Sequence, residues 1–302
     1  MGSGKSESWK TVAWNGISFR VPPQWEVSSL AMSYLQVDDE VGPVVELKWQ
    51  QIKGCFSFKT HLKKLARLST TTPGVDFQEI PSPQTWQRAL RNFEVKAFVW
   101  HSTEVSGKGA ILYCPECQKA ILLQFFQRQS GDDSSVPLEI LNSFRDHGED
   151  GMVHWALFGL RVLIPQRFVL VRYRFHPGHY QLEFQHQKEH LHLDRWGPAD
   201  LVLQGGDLLT WFKEKCGELN WCEAANLAES NYDGRPALQG RSHGSVLAAN
   251  RFWARVTRRL PHIWVRIWHL VSQNQILGVS SRGLNPLNEQ MLEEVCSTYE
   301  MV

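Results

Sequence analysis

The residues whose types and spacing could do chemistry begin with Tyr113-Cys-Pro-Glu-Cys-Gln118, a Cys-x-x-Cys flanked on both sides by strand-like residues. At the tip of a hairpin the turn would converge the sulfurs of Cys114 and Cys117 on one tetrahedral centre, which is how half of a zinc ribbon is built. A second half is required. Cys216 and Cys222 stand six residues apart, which is wrong for a knuckle, and the corresponding turn of the second half, near Leu260, Pro261 and His262, carries no cysteine. A redox role would place the pair at the start of a helix, whose N-terminus lowers the thiol pKa; here a strand follows. Without a partner set, the pair is a turn carrying two incidental thiols.

Histidines form the second group: His176, His179, His186, His190 and His192. In a strand, His190, His192 and Asp194 share a face at period two, so two imidazoles and a carboxylate could meet one cation. Lys188 would share that face and oppose it, and the competing reading is a solvated strand face. Gly2-Ser-Gly-Lys-Ser6 is like the end of a phosphate-binding loop, but it lacks both the upstream glycine and the preceding strand that curl backbone N–H groups around phosphates.

A binding function is expected instead from aromatic and basic residues together. If 251–260 is a strand, Trp253, Arg255, Thr257 and Arg259 lie on one face, and in the next strand Trp264, Arg266 and Trp268 lie opposite Ile263, Val265 and Ile267. One face is core and the other a Trp/Arg platform. Trp and Arg dominate binding hot spots because a rigid apolar area and a planar multi-donor cation gain much per immobilised side chain. The alternative is that a helix of the same domain covers the platform.

The elements that would position these groups occur in two similar sets. Trp14-Asn-Gly-Ile-Ser-Phe-Arg-Val-Pro-Pro-Gln-Trp25 is answered by the stretch from Trp155 to Phe168, each an aromatic, a glycine, a short alternating strand, then proline and another aromatic. The strand pair 35–49, turning at Gly42-Pro43, is answered by 191–203, turning at Gly197-Pro198. Helical spacing follows in both, at Phe58, Leu62, Leu65 and Ala66 and at Leu208, Leu209 and Phe212. Strands at 93–101, 110–113 and 120–126 match 252–260, 263–271 and 275–279, and each set closes with a helix after Pro137 or Pro286. Short turns between consecutive strands require antiparallel pairing, so each half is α+β, a mainly antiparallel sheet with helices packed on it. The expected layout is a disordered leader at 1–10, a first domain at 11–148 and a second at 152–302. Apolar surface on both faces of a sheet needs cover on both, and packing of one half on the other would make the chain a covalent pseudo-dimer.

This order, with its opening strand-proline-aromatic signature and the final helix Ile140-Leu-Asn-Ser-Phe144, resembles the Mog1/PsbP-like fold, including the small bacterial domains of the DcrB and Eag-chaperone type. The resemblance implies an α/β/α sandwich and binding rather than catalysis, since such proteins are mostly partner-binding, chaperone or assembly proteins. It carries over no site residue.

Composition narrows the class further. The 302 residues hold 32 basic and 31 acidic side chains, a net charge of +1 that removes the bulk-charge argument for a nucleic-acid binder. No run of about 18 apolar residues or secretory leader appears, and six irregularly spaced cysteines fit a reducing compartment. The expectation is a cytoplasmic, bacterial, non-enzymatic adaptor, chaperone or assembly subunit that binds a protein partner and needs no cofactor or membrane. Two alternatives stand beside it: a metal-binding protein or metalloenzyme built on Cys114 and Cys117 or on His190 and His192, and single-stranded nucleic-acid binding by stacking on the platform.

Overall fold

The computed structural model describes residues 9–71, 74–127, 135–148, 150–217, 225–242 and 260–302. Contacts divide the chain into two compact units, Met1–Gly159 and Leu160–Val302. The leader expected at 1–10 falls mostly outside the described residues, but Lys10 already pairs with Val21 as the first residue of a strand.

In the first unit, β1 (Lys10–Trp14) and β2 (Ile17–Val21) form a hairpin. Its turn residues Asn15 and Gly16 both have positive φ, 46° and 87°, the backbone that matches a two-residue hairpin turn to the twist of its strands. Alternation then decides the faces: Ile17, Phe19 and Val21 are buried while Arg20 between them is exposed. A meander of β3 (Glu26–Ala31), β4 (Tyr34–Asp38) and β5 (Pro43–Gln51) follows. The chain next crosses through α1 (Phe58–Thr71) to β6 (Asp76–Ile80), passes α2 (Gln84–Ala89), and returns by β7 (Glu94–His101), β8 (Ser106–Cys114) and β9 (Lys119–Gln127). The sheet order is β3-β4-β5-β9-β8-β7-β6, antiparallel at every pairing. After α3 (Ser135–Ser143), β10 (Met152–Leu157) pairs with β1 through Ala13 and Ala156. The strand expected to open the second domain at 152 thus joins the first unit.

In the second unit β11 (Leu160–Pro165) is followed by β12 (Val169–His176), β13 (His179–His186) and β14 (Glu189–Trp196), two helices α4 (Ala199–Leu203) and α5 (Leu208–Gly217), then β15 (Ala228–Tyr232), β16 (Arg235–Ser242), β17 (His262–Leu270) and β18 (Gln275–Gly283). The last elements are α6 (Glu289–Thr298) and β19 (Glu300–Met301), which pairs with β11. The main sheet runs β12-β13-β14-β18-β17-β16-β15, again antiparallel. Position for position this is the order of the first unit, and both units are richer in strand than in helix.

The correspondence of elements differs from the sequence expectation in two ways. Residues 169–189, left without a counterpart in the sequence comparison, are β12 and β13 and answer β3 and β4. The two Gly-Pro pairs that suggested a match are not equivalent, since Gly42-Pro43 lies between paired strands whereas Gly197-Pro198 leads from β14 into α4. Of the strand expected at 252–260 only Leu260 is among the described residues, and it is not in a strand; β16 is what answers β7. Pro236 and Gly240 make β16 read as loop, and its pairing with β17 over residues 237–242 overrides that local signal.

Both faces of the second sheet are covered in part by its own helices. On one side Trp211 and Phe212 of α5 and Ala199 of α4 pack with Trp196, Leu238, Ile263, Val265, Ile267 and Ile276. On the other, α6 lies over the row Trp264, Arg266 and Trp268.

Candidate functional site

That last arrangement corrects the expected docking platform. Trp264 and Trp268 are 1% and 0% exposed and Arg266 is 8% exposed. The Arg266 guanidinium makes a two-pronged pair with Glu293 of α6, one bond at 2.7 Å, and lies over the rings of Tyr232 and Trp264 at 4.7 and 5.2 Å. Trp268 meets Tyr299 edge to face at 5.9 Å. Helix α6 sets Glu293, itself partly exposed, against the buried Arg266, so the two tryptophans of the row are core and the cation between them is paired at the helix rim. Composition alone does not distinguish a hot spot from a core. Trp253, Arg255 and Arg259, the other members of the expected platform, lie outside the described residues.

Among the described residues, the opposite face of the same sheet is open where the helices stop. Helices α4 and α5 cover its β16–β17 side, and beyond them a groove of about 1030 Å³ is lined by residues of β12, β13, β14 and β18. Period-two alternation sends Arg172 and Arg174 of β12, Gln181 and Glu183 of β13, His192 and Asp194 of β14, and Ser280 and Arg282 of β18 into it, while Trp196 and Trp211 form its apolar end. Leu191 and Leu193 on the alternate positions of β14 are fully buried in the other direction.

Two acids of the groove, Asp194 and Glu183, are already engaged by neighbours, while Glu214 of α5 lines its helical wall. Asp194 accepts a hydrogen bond from Gln181 at 3.0 Å and pairs with His179 at 2.7 Å. Glu183 sits 3.8 Å from Arg172 and 3.5 Å from His190. Arg172 and Arg174 remain exposed on β12, which is the edge of the sheet. The groove therefore turns cations and backbone edge groups toward an incoming ligand.

The expected histidine cluster is present with one substitution. His190 and His192 are brought together with Glu183 of β13, their ligating atoms all within 4.8 Å of one another; Asp194, expected as the carboxylate, is held away by His179. Burial lowers the His192 pKa, and the Arg282 guanidinium lies 3.3 Å from its Nε2. A fixed cation on the ligating nitrogen opposes a metal ion, in the way expected of Lys188, although the residue responsible is Arg282.

The Cys-x-x-Cys is at the tip of the β8–β9 hairpin, where Cys114 pairs with Lys119. Gln118 takes the left-handed conformation that closes the turn, with φ 54°. The equivalent turn of the second unit is Val271–Gln273, not the expected 260–262, and it too lacks cysteine. What the sequence did not show is the partner set. Asp146 and His147, just beyond α3, come to the same tip, and one ligand atom from each of Cys114, Cys117, Asp146 and His147 lies within 4.8 Å of the others. Cys117 Sγ donates to Asp146 Oδ2 at 2.9 Å, His147 Nδ1 lies 2.8 Å from Asp146 Oδ1, and Cys114 Sγ is 3.9 Å from His147 Nδ1. Burial first, and then the Asp146 carboxylate, push the Cys117 thiol pKa upward.

No protein-family profile matches the sequence, and no curated protein does. Among solved structures the chain is similar to the Ran-binding protein Mog1p of Saccharomyces cerevisiae, at 11% identity over 50% of this chain and 95% of that one, with a TM-score of 0.31. It is also similar to the T6SS immunity protein TplEi of Pseudomonas aeruginosa, at 8% identity over 98% of each chain and a TM-score of 0.33. No residue role is carried over from either.

Proposed function

We propose that this chain is a protein-binding module, acting by binding rather than turnover as an adaptor, chaperone or assembly subunit, and that its partner seats on the groove of the second unit. The observation that carries this reading is the half-covered sheet face, about 1030 Å³ in volume, with Arg172 and Arg174 exposed along its edge strand and Trp196 and Trp211 at its inner end. An edge strand offers unpaired N–H and C=O groups to an added strand, which supplies affinity through the main chain. Guanidinium groups beside it recognise carboxylates by parallel hydrogen bonds. The partner that fits is a protein presenting an extended, acidic segment.

The experiment is capture from the native host by the full-length chain, quantified against the folded double variant R172E/R174E. The expected result is a partner bound saturably by the unaltered chain and lost from the variant, because reversal sets like charges against its carboxylates. Equal capture by both proteins, or no saturable partner, overturns the reading.

A further inference from the structure

We propose that Cys114, Cys117, Asp146 and His147 form a structural zinc site in the first unit. The hairpin supplies two thiols, and the second half of the site is the Asp-His pair that follows α3 rather than another cysteine pair.

The donor set matches the ion. Two thiolates, one imidazole nitrogen and one carboxylate oxygen suit a borderline-soft divalent cation and are a poor set for calcium or magnesium, which take oxygen ligands. Bonds of about 2.3 Å to sulfur and about 2.0 to 2.2 Å to nitrogen and oxygen place tetrahedral ligand atoms roughly 3.3 to 3.8 Å apart. The three pairs given above span 2.8 to 3.9 Å, with Asp146 meeting Cys117 through Oδ2 and His147 through Oδ1, and one ligand atom from each residue lies within 4.8 Å of the others, so rotation of the Asp146 carboxylate and small side-chain movements admit the ion. Cys114 and Asp146 are 1% and 2% exposed, unlike a surface cluster of acids.

Rigid elements hold both halves. Arg145, next to Asp146, exchanges two backbone hydrogen bonds with Ser18 of β2 at 2.9 and 2.8 Å. The turn is fixed from its other side by the Ile52 N–H, which donates to the Gln118 carbonyl at 2.9 Å. His147 would ligate through Nδ1, while its Nε2 lies 3.4 Å from the Glu116 carboxylate, the outer partner that orients a ligating imidazole.

Charge within the ligand set is compensated. Binding removes one proton from each thiol to solvent, so two thiolates and one carboxylate carry −3 against the ion's +2. The Lys119 ammonium, which donates to the Asp146 carbonyl, offsets that excess, and the Glu116 carboxylate beside His147 adds one negative charge at the exposed rim. Filling all four positions with protein ligands makes the site structural, since a catalytic zinc keeps a position open.

The test uses the full-length chain, stripped with chelator and titrated with Co²⁺ as a spectroscopic probe and then with Zn²⁺. The expected result is one equivalent of Co²⁺ giving tetrahedral visible bands and a thiolate charge-transfer band, displaced by Zn²⁺. In C114S/C117S the charge-transfer band is lost. H147A weakens binding by roughly tenfold or more, the least that losing even a supporting partner costs, and Cys55→Ser leaves the titration unchanged. If the folded unaltered chain gives no charge-transfer band, or if the band survives in C114S/C117S, the proposal is overturned. H147A keeps both sulfurs, so it remains informative should the double variant fail to fold.

Discussion

Arg266 and Arg172 carry the same side chain on the same sheet and have opposite fates, because α6 lies over one and, among the described residues, no helix lies over the other. Arg266 is paired with Glu293 and stacked on two rings, whereas Arg172 is exposed and reaches Glu183 only at 3.8 Å. An exposed pair of that kind contributes little to stability, which leaves the guanidinium available for a ligand at small cost. The burial of Trp268 has the opposite consequence. It is fully buried against Tyr232 and Tyr299, so W268A removes a large apolar side chain from a packed site and should lower unfolding free energy by about 3–5 kcal/mol. A urea melt of W268A against the unaltered chain measures this, and a loss below about 1 kcal/mol would contradict a core role.

At the scale of elements, α6 is the piece that turns an aromatic sheet face into core. Met291, Leu292, Val295 and Cys296 form its buried stripe at helical spacing, and Asn288 starts it by accepting a hydrogen bond from the Met291 N–H at 3.1 Å. That bond satisfies one of the N-terminal donors a helix leaves unpaired. N288A should therefore cost about 1 kcal/mol in thermal or chemical unfolding, and N288D should retain most of it, because its carboxylate keeps the acceptor and favours the helix N-terminus. Hairpin β8–β9 works differently. Its strands pair over their whole length, from Ser106 with Gln127 to Cys114 with Lys119, so the positions of the two sulfurs follow from the ladder and from the left-handed Gln118.

For the whole molecule, each unit repeats one strand order, yet the two candidate sites are not equivalents of one another. The cysteine cluster belongs to a turn whose counterpart in the second unit is the short helical turn Val271–Gln273, and the groove belongs to a face shaped by α4 and α5. If the groove binds an acidic partner through exposed arginines, affinity must fall as salt screens them. The expected outcome is a partner Kd that rises several-fold between low and physiological ionic strength, mostly through slower association. The charge-removing variant R172A/R174A should bind more weakly and with a shallower salt dependence; a salt-independent Kd for the unaltered chain would point to an apolar contact instead.

The sequence by itself determined the meander of the first half, the helices that close each half and the convergence of Cys114 with Cys117, because alternation, turn residues and short connections act between neighbours along the chain. It did not determine which apolar face is covered, since Trp264 and Trp268 have the same pattern whether α6 or a partner lies on them. Nor could it place Asp146 and His147 beside the thiols, about thirty residues away along the chain, or substitute Glu183 for Asp194 beside His190 and His192. Those outcomes rest on strand register and helix docking, which are set by the packing of the unit as a whole, and only the tertiary structure decides them.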